Sequence, residues 1–480
     1  MRLTLDRKKY IILKAIIWIG YLIFCLYALD TFLKSATLLY ELILSAFIIE
    51  LSVIRFIRSW YKNKKPSVLD WFRVTTFYSL LINYFFVMKD MEDGKLWKYQ
   101  NIHIDFSFAI PALITILVGL LALDLSEIII KYIKKRNRTP LPQYKYTLRN
   151  KYLLIIFGAI ILSVQLYLML DGKMGYGTNT DYTASTASNF SFILQIINSL
   201  RIYVLLVFGF LVFCFKKEDP ALKVSYYIFV ALFLVAALLS GMKENVFVLV
   251  VVIAIPYFYA GNTLSTKWLV VSGLMLLIIY PLNDSYRDLL IRFPAMDKKD
   301  AIGIAFVDTY NSDFTDIFKE SSNKYSDRLS LYPNLQYAIQ LEPSWEIYKN
   351  MDRFPYLPIS FLPRFLVPSK PMSDTGMILN KFITGSDRSS QTATTFGWAY
   401  LEGGIYFVFI EFIILGIVIS LFQYSSNRNS FLFLLFLGDL TVSMLKIEAD
   451  IYFLLATFIQ DFTLYFILTN LFVKKTKLLT

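Results

Sequence analysis

The segment 361–371, Phe-Leu-Pro-Arg-Phe-Leu-Val-Pro-Ser-Lys-Pro, places two cations between three prolines. Proline fixes the backbone direction, so this segment is a stiff apolar strip that holds Arg364 and Lys370 at defined positions. Arg pairs with phosphate oxygens through a planar fork, and Lys adds a mobile point charge. A strip of this kind suits the binding of a lipid-linked phosphate beside a membrane.

Two further arginines could meet an anionic ligand. Arg287 follows a long apolar run, in Asn-Asp-Ser-Tyr-Arg-Asp at 283–288, and Arg201 lies inside the apolar run 191–215. A charge at that depth in a membrane costs about 3 kcal/mol or more unless it is paired or faces a polar cavity. We therefore expect Arg201 either to form a structural ion pair or to face a ligand cavity. The possible acidic partners within apolar runs are Glu402, Glu411 and Asp439.

The elements that must position these cations are membrane helices. Apolar residues make up 56% of the chain and charged residues only 18%. The apolar residues come in continuous blocks of about twenty, the length that a helix needs to cross a bilayer. Continuous blocks favour helices over alternating barrel strands. The sequence predicts an all-α polytopic protein with about twelve crossings, at 11–31, 36–57, 68–88, 106–130, 152–170, 191–215, 223–240, 244–260, 267–284, 398–421, 429–446 and 451–472.

Basic clusters predict the orientation of these crossings. They precede the first crossing and follow the second, fourth, sixth and last, so all five lie on one side if every block crosses. Cytoplasmic loops carry the excess of Lys and Arg, which places both termini in the cytoplasm. Much of the net charge of +12 is therefore a topology signal. We expect the first helix to be retained, because it is longer than a signal-peptide core and lacks a small-residue cleavage pattern.

Several classes of function lose support from the motifs. The sequence has no GxxxxGK[ST] loop, no HExxH, no CxxC pair and one histidine, His103. Cys25 and Cys214 both lie in predicted crossings and are expected to be packing residues. We expect no metal, no cofactor and no nucleic-acid partner, since there is no basic domain outside the membrane.

The predicted organisation is a helical block over 1–284, an extracytoplasmic loop over 285–397 and three final crossings over 398–480. A loop of about a hundred residues is far longer than ordinary connections and is usually functional. It is rich in aromatic residues and should form short helices that lie on the membrane surface or dip into it. Its cations are spaced rather than clustered, and they include Arg292 and Arg328.

The proline-bounded strip resembles the "PR…P.KP" stretch in the large outer loop of the Wzy-type polymerases of O-antigen and capsule repeat units. The stretch 392–404, Thr-Ala-Thr-Thr-Phe-Gly-Trp-Ala-Tyr-Leu-Glu-Gly-Gly, is similar to the entry of that family into its next helix, a Thr-rich turn followed by "G..Y…G". Gly241-Met242-Lys243 resembles a short basic turn at which many members carry Arg. The layout of many helices with one large late loop is also similar.

This resemblance implies a metal-independent glycosyltransferase with a membrane-embedded, GT-C-like fold. Members transfer a growing glycan from one polyprenyl diphosphate to a second lipid-linked repeat unit at the outer face of the bacterial cytoplasmic membrane. The implied partners are the donor and acceptor lipid-linked oligosaccharides, membrane lipids, a chain-length regulator and a flippase. Two alternatives stay open, namely a ligase that transfers finished glycan to another acceptor and a flippase or transporter of lipid-linked oligosaccharide.

The site hypothesis combines the residues and the resemblance. Cations would stabilise the leaving diphosphate, and a carboxylate would accept the proton of the acceptor hydroxyl. The base could be Asp284, Asp288, Asp308, Glu342 or Glu402. We predict catalytic roles for Arg287, Asp288, Arg364, Lys370 and Glu402. We predict diphosphate or glycan binding by Arg201, Lys243, Arg292, Arg328, Thr394 and Tyr400.

Overall fold

The computed structural model describes most of the chain. The described residues are 7–31, 37–63, 66–92, 106–136, 144–171, 184–214, 220–241, 243–260, 281–283, 285–290, 292–293, 296–311, 331–362, 366–367, 369–371, 375–385, 391–424 and 431–477. Within them the chain is overwhelmingly helical, and its one small sheet joins two short strands.

The described residues up to 260 form ten α-helices and the first strand. They are α1 Arg7–Thr31, α2 Leu38–Ile49, α3 Arg55–Asn63, α4 Val68–Thr76, α5 Asn83–Glu92, α6 Ala109–Arg136, β1 Tyr144–Leu148, α7 Lys151–Leu170, α8 Ala184–Phe213, α9 Pro220–Leu239 and α10 Lys243–Tyr259. The π-helical turns Glu50–Ile54 and Phe77–Ile82 join α2 to α3 and α4 to α5, so 38–63 and 68–92 are each one continuous helical stretch.

The second half begins with short helices and ends with long ones. They are α11 Lys298–Asn311, α12 Tyr332–Leu341, α13 Thr375–Thr384, α14 Thr394–Gln423, α15 Phe431–Met444, α16 Ile451–Phe472 and β2 Val473–Lys477. Between α12 and α13 lie three short 3₁₀ turns, Glu342–Ser344, Lys349–Met351 and Phe354–Ile359. This segment matches the prediction of short helices in the region of the outer loop.

Seven helices in the described part of the chain are long and apolar enough to cross a membrane. They are Arg7–Asp30, Ala109–Lys134, Lys151–Leu170, Ile196–Phe213, Pro220–Leu239, Thr394–Gln423 and Ile451–Phe472. The all-α membrane architecture predicted from the sequence is thereby confirmed in its coarse form. The predicted crossings at 244–260 and 429–446 coincide with shorter apolar helices, and most of 267–284 lies outside the described residues.

Helices α6 and α14 pack closely along each other through small residues. A methyl group at Gly416 of α14 would lie 1.9 Å from Ser126 Oγ of α6, so only glycine permits this approach. One helical turn from that point, Leu123 of α6 also lies against Gly416. Small residues at such contacts let two membrane helices approach closely, where dispersion contacts and not the hydrophobic effect hold them together.

One end of the helix bundle contains a buried ion-pair network. Arg73, with no exposed side-chain surface, donates to Asp70 and Asp124 at 2.7 Å and to Glu127 at 3.0 Å. Arg55 of α3 pairs with two of these acids, Asp124 and Glu127. The network ties α3, α4 and α6 together, at ends that the charge pattern predicts to share one side of the membrane. Lys131, near the end of α6, also pairs with Glu127 at 2.7 Å.

The two strands join at the same predicted side. β1 and β2 are antiparallel, with Thr147 opposite Lys474 and Leu148 opposite Val473. The basic segment after α6 and the C-terminal basic segment therefore lie side by side. At the opposite end, Leu331 N–H donates to Ser79 O at 3.3 Å, and the Tyr332 ring contacts the Tyr84 ring.

Candidate functional site

Arg353 lies at the centre of a buried polar cluster where the segment 342–371, between α12 and α13, meets α14 and α16. We call 342–371 the outer segment after its predicted location. The Arg353 side chain is only 2% exposed. One terminal nitrogen, Nη1, donates to Asp450 Oδ2 at 3.1 Å, and the other donates to Glu402. The rings of Tyr348 and Tyr452 lie over the guanidinium, with centroids 4.7 and 5.1 Å away. An arginine can be buried only when its charge is paired in this way, because desolvation of an isolated cation is very costly.

A strained turn positions this arginine. Tyr348, Asn350 and Met351 all have φ near +57°, in the left-handed region that L-residues other than Asn and Gly rarely adopt. Such conformations cost of order 1–3 kcal/mol each and persist only where the surroundings enforce them. The turn brings the Tyr348 ring and the Arg353 guanidinium together against α14 and α16. Strained backbone of this kind concentrates at functional sites.

Helix α14 breaks beside this cluster. Gly403 and Gly404 leave helical geometry, and Gly404 has φ +70°. The helix is therefore two pieces, a short one over 394–402 that is buried on nearly all sides and a long one over 405–423. Glu402 ends the short piece. In membrane proteins, breaks of this kind occur where the freed backbone is buried in protein or lines a cavity.

A third carboxylate joins the cluster from the long piece of α14. Glu411 is 1% exposed and lies close to Glu402. Glu411 Oε1 and Glu402 Oε2 are both buried and have no hydrogen-bond donor among the described residues. Arg353 is therefore the cation beside three carboxyls, those of Glu402, Glu411 and Asp450.

Asp450 links the cluster to α16 as its N-cap. Its Oδ1 accepts from Phe453 N–H at 2.6 Å, while Oδ2 accepts from Arg353 and from Thr375 Oγ1 at 3.3 Å. An Asp side chain at this position satisfies an otherwise orphaned N–H of the first helical turn. One carboxylate therefore ties together the outer segment, α13 and α16. Burial alone would lower the pKa of Arg353, but Asp450 and Glu402 together raise it above its ordinary value.

The Thr-rich turn at the start of α14 is bonded to the loop before α16. Thr395 N–H and Oγ1 both donate to Ile447 O, at 2.7 and 2.9 Å. Thr392 Oγ1 donates to Glu448 O at 2.6 Å and accepts from Thr394 N–H at 2.9 Å. Thr394 itself is buried with φ +70°, an unusual conformation for a β-branched residue. The threonines at the start of this helix therefore hold the backbone of 447–449.

Lys370 closes the proline-bounded strip onto itself. Its ammonium donates to Ser360 O and to Leu362 O, the latter at 3.3 Å. Gln460 Nε2 of α16 donates to the same Ser360 carbonyl, and Ser360 Oγ reaches Ala456 O. The segment thus runs along α16 from Asp450 to Gln460, about 15 Å at 1.5 Å per residue. The strip that carries Arg364 is anchored to this helix, although Arg364 itself lies outside the described residues.

The remaining predicted site residues lie apart from this cluster or outside the described part. Arg287 and Asp288 belong to a short helical segment over 285–290, half-buried and exposed respectively, and Arg292 is exposed. Arg328, the alternative base Asp284 and His103 lie outside the described residues, as does the side chain of Lys243, whose backbone begins α10. The structure brings Glu402 and Thr394 together at the head of α14, with the half-buried Tyr400 on the same helix.

Arg201 is buried, as expected from its position in an apolar run. Its Nη2 donates to Asn245 Oδ1 at 3.1 Å, and Asn245 in turn donates to Ser240 Oγ at 2.9 Å. Two of its predicted acidic partners, Glu402 and Glu411, belong to the Arg353 cluster. The described contact of Arg201 is thus with an amide between α8 and α10.

Neither Arg353 nor Asp450 was singled out as a site residue from the sequence. A signal for Asp450 was present, because an Asp directly before the apolar run 451–472 is a typical N-cap. No comparable local pattern singles out Arg353, since its burial depends on contacts with α14 and α16. Among the described residues, no group of three or more His, Cys, Asp or Glu side chains could hold a metal ion.

The described helices define a class, the multi-pass helical membrane protein. Residues 141–435 match the family described as "Domain of unknown function (DUF8712)", and because this is more than half of the chain, the protein belongs to that family. The matched region includes Arg353, Glu402 and Glu411, whereas Asp450 lies beyond its end. No curated protein and no solved structure matches the chain.

Proposed function

We propose that this protein is a glycosyltransferase that polymerises polyprenyl-diphosphate-linked oligosaccharide repeat units into a surface polysaccharide. In this proposal the chain crosses a bacterial cytoplasmic membrane about twelve times, with both termini in the cytoplasm and a GT-C-like arrangement. The segment between α10 and α14 then lies on the outer face. Collection of the basic segments at one end of the bundle supports this orientation.

The observation that carries the proposal is the anchoring of the proline-bounded strip. Arg353 donates a hydrogen bond to Asp450 at the start of α16, and Ser360 donates one to Ala456 O further along that helix. Lys370 closes the loop by donating to Ser360 O. Arg364 lies in the interval between Leu362 and Leu366 of this closed loop. A cation held in advance beside a membrane can stabilise charge on a leaving diphosphate without the cost of reorganising at the moment of reaction.

The proposed transfer is a displacement at the anomeric carbon of the donor glycan. The acceptor hydroxyl oxygen forms the new glycosidic bond, the bond to the diphosphate oxygen breaks, and its electron pair leaves with the diphosphate. The hydroxyl proton passes to a carboxylate base. Arg364 and Arg287 are the proposed diphosphate ligands, and the exposed Asp288 is the proposed base. Glu402 we assign to positioning, because it is buried against Arg353 and Glu411.

The test is polymerisation by the purified protein in detergent or nanodiscs. Lipid-diphosphate repeat units from the source organism are the substrate, and gel electrophoresis reports chain length. We expect a ladder of products that Arg364→Ala and Arg287→Ala abolish without loss of membrane insertion. Lys349→Ala is the matched control, because Lys349 is a cation of the same outer segment that pairs only with the 80%-exposed Glu346 among its described contacts. No lengthening by the wild-type protein would refute the proposal.

The same experiment separates the alternatives. A ligase would transfer glycan from one lipid to a different acceptor and would give no ladder with the repeat unit alone. A flippase would move the lipid-linked substrate across a liposome membrane and would form no new bond. Near-normal ladders from both arginine variants would refute the assignment of Arg364 and Arg287 as diphosphate ligands. The polymerase activity itself would still be supported.

A further inference from the structure

Helix α1 is the least buried of the seven candidate membrane spans in the described part of the chain. Only 6% of its apolar window is buried, against 33–72% for the other six. Its contacts with the rest of the protein include a hydrogen bond between Tyr21 and Ser45 at 2.8 Å and packing of the Phe24 ring on Phe85. These contacts lie on one face of α1, so the opposite face is available to a neighbour in the membrane.

That opposite face carries a regular row of branched side chains, which we call the α1 seam. At about 100° per residue its members all lie within about 40° of one line along the helix, half a turn from Tyr21. Their spacing alternates between four and three residues, an average of 3.5, the period at which two helices stay in continuous contact by coiling left-handedly around each other. Each is between 46% and 62% exposed, and they are Ile12, Ile16, Ile19, Ile23 and Leu26.

The composition of the α1 seam suits packing against another helix. Lipid chains are as apolar as Ile and Leu, so membrane helices associate through close packing and not through the hydrophobic effect. Isoleucine has one strongly preferred χ1 rotamer in a helix, so it loses little entropy when it interlocks with a neighbour. Ala15 and Gly20 flank the seam on either side and are exposed, and no atom lies within 4 Å of the position of a Cβ on Gly20. Small residues at these positions leave room for a second backbone to approach.

A second copy of α1 fits the α1 seam because the membrane fixes the orientation of both copies. Every copy inserts with the same topology, so the α1 helices of two neighbouring copies are parallel and present identical seams. Such seams meet about a two-fold axis along the membrane normal, where each residue faces its own counterpart. The seam is about 21 Å long, most of the thickness of a hydrocarbon core of about 30 Å. Pairing would bury about 1,000 Å² in total, the area from which an interface is large enough to be specific.

We propose that two copies of the protein pair in the membrane through the α1 seam, with their α1 helices parallel and coiled around each other. This homodimer does not depend on the transferase activity proposed above. Helix α1 also precedes the family match at 141–435, so the contact belongs to this chain and not to the part that it shares with its family.

Cysteine cross-linking in native membranes tests the α1 seam. Cys25→Ser and Cys214→Ser give a background without thiols, and Ile23→Cys then places one thiol on the seam. Because each residue faces its own counterpart, oxidation should join two chains and give a band at twice the monomer mass. Leu22→Cys is the matched control, because this adjacent residue is 58% exposed against 62% for Ile23 but points about 100° away. We expect severalfold less cross-linking at Leu22.

Two results of this experiment would overturn the proposal. Equal cross-linking at the two positions would mean random collision of the exposed surfaces. A band that joins the Ile23→Cys chain to a different protein would mean that another partner, and not a second copy, occupies the seam.

Single-molecule photobleaching of labelled protein in liposomes at low density counts the copies directly. The wild-type protein should bleach mostly in two steps, and Ile16→Ala with Ile23→Ala mostly in one, because alanine keeps the helix but removes the interlocking side chains. Ile11→Ala with Leu22→Ala removes exposed side chains beside the seam and should still give two steps. One-step bleaching of the wild-type protein would refute the pairing, and two steps in the seam variant would place the interface elsewhere and contradict the role of α1.

Discussion

Arg353 and Asp450 are 97 positions apart in the chain, yet Arg353 Nη1 lies 3.1 Å from Asp450 Oδ2. This pair joins the outer segment to the first turn of α16. Asp450 is at once an N-cap, the acceptor of Thr375 and the counter-ion of a buried arginine. The Arg353 guanidinium, together with the contacts of Ser360 to Ala456 and Gln460, therefore fixes the position of the proline-bounded strip relative to α16.

Replacement of Arg353 by Met should destabilise the outer segment strongly. The change leaves Glu402 and Asp450 buried without their counter-ion, and breaking a buried pair from one side costs about 3–5 kcal/mol. We expect a lower thermal midpoint in detergent by size-exclusion fluorescence and rapid proteolysis between α12 and α13. Arg353→Lys should recover only part of the stability, because an ammonium cannot span both carboxylates in the same fork geometry.

The control for Arg353 is Lys349→Met in the same segment. Lys349 pairs with an acid that is 80% exposed, and surface pairs contribute about 0–1 kcal/mol. Its thermal midpoint should stay close to that of the wild-type protein. Equal losses in the two variants would contradict the assignment of Arg353 as the buried anchor.

A double substitution tests the same cluster in another way. Glu402→Gln combined with Arg353→Met removes one charge of each sign and should be less destabilising than Arg353→Met alone. The coupling free energy is the effect of the double variant minus the sum of the two single-variant effects. For residues in one network it is about 0.5–3 kcal/mol. Thermal midpoints of the four members of the cycle supply it. Additive effects would mean that the Arg353–Glu402 contact contributes nothing.

Gly404→Ala should be destabilising although the site has room for a methyl group. No atom lies within 4 Å of the position that the new Cβ would take, so the cost comes from φ +70°, a conformation that alanine disfavours by about 1–2 kcal/mol. The matched control is Gly303→Ala in the helix α11, where no atom lies within 4 Å either and φ is ordinary. That change should be neutral or stabilising by about 0.4–1 kcal/mol. Parallel melting curves of the two variants distinguish backbone strain from steric clash.

The long apolar helices were predictable from local sequence, whereas the buried Arg353 cluster was not. Apolar blocks near twenty residues gave helices α1, α6, α7, α9 and α16 within a few residues, because a bilayer demands that length. Helix α14 begins at Thr394, four residues before the predicted crossing 398–421. The burial of Arg353 was not predictable, since it arises from contacts with Glu402 and Asp450, 49 and 97 residues away. The hydrophobic periodicity of a sequence does not predict contacts between residues so far apart in the chain.

The same limit applies to Arg201 and to the charged residues of α4. Depth in an apolar run correctly indicated that Arg201 is buried, but not that an amide, Asn245, lies in reach of it. Asp70 and Arg73 are two charges near the start of the predicted third crossing. The structure pairs both inside a network with α6, so helix packing accommodates them.

The contact between Gly416 and Ser126 gives a prediction with a built-in rescue. Gly416→Ala would place a methyl group 1.9 Å from Ser126 Oγ, so α6 and α14 must separate, at a cost of about 1–3 kcal/mol. Adding Ser126→Gly removes the opposing side chain and should restore much of the lost stability. Thermal midpoints of the single and double variants in the same detergent give the comparison. If the double variant is no more stable than Gly416→Ala alone, close packing of these two helices at this point is excluded.

The register of β1 and β2 predicts a specific cross-link. Thr147 and Lys474 are direct partners in the antiparallel pair, so cysteines at both positions should form a disulfide under mild oxidation. Cys25 and Cys214 are first replaced by Ser to remove competing thiols. The control pair, Tyr144→Cys with Lys474→Cys, is three positions out of register and should cross-link poorly. A mobility shift on non-reducing gels reports the bond.

Efficient cross-linking shows that the segment after α6 and the C-terminal segment share one side of the membrane, as the distribution of basic residues requires. Failure of the in-register pair would separate the two segments and remove the structural support for that topology.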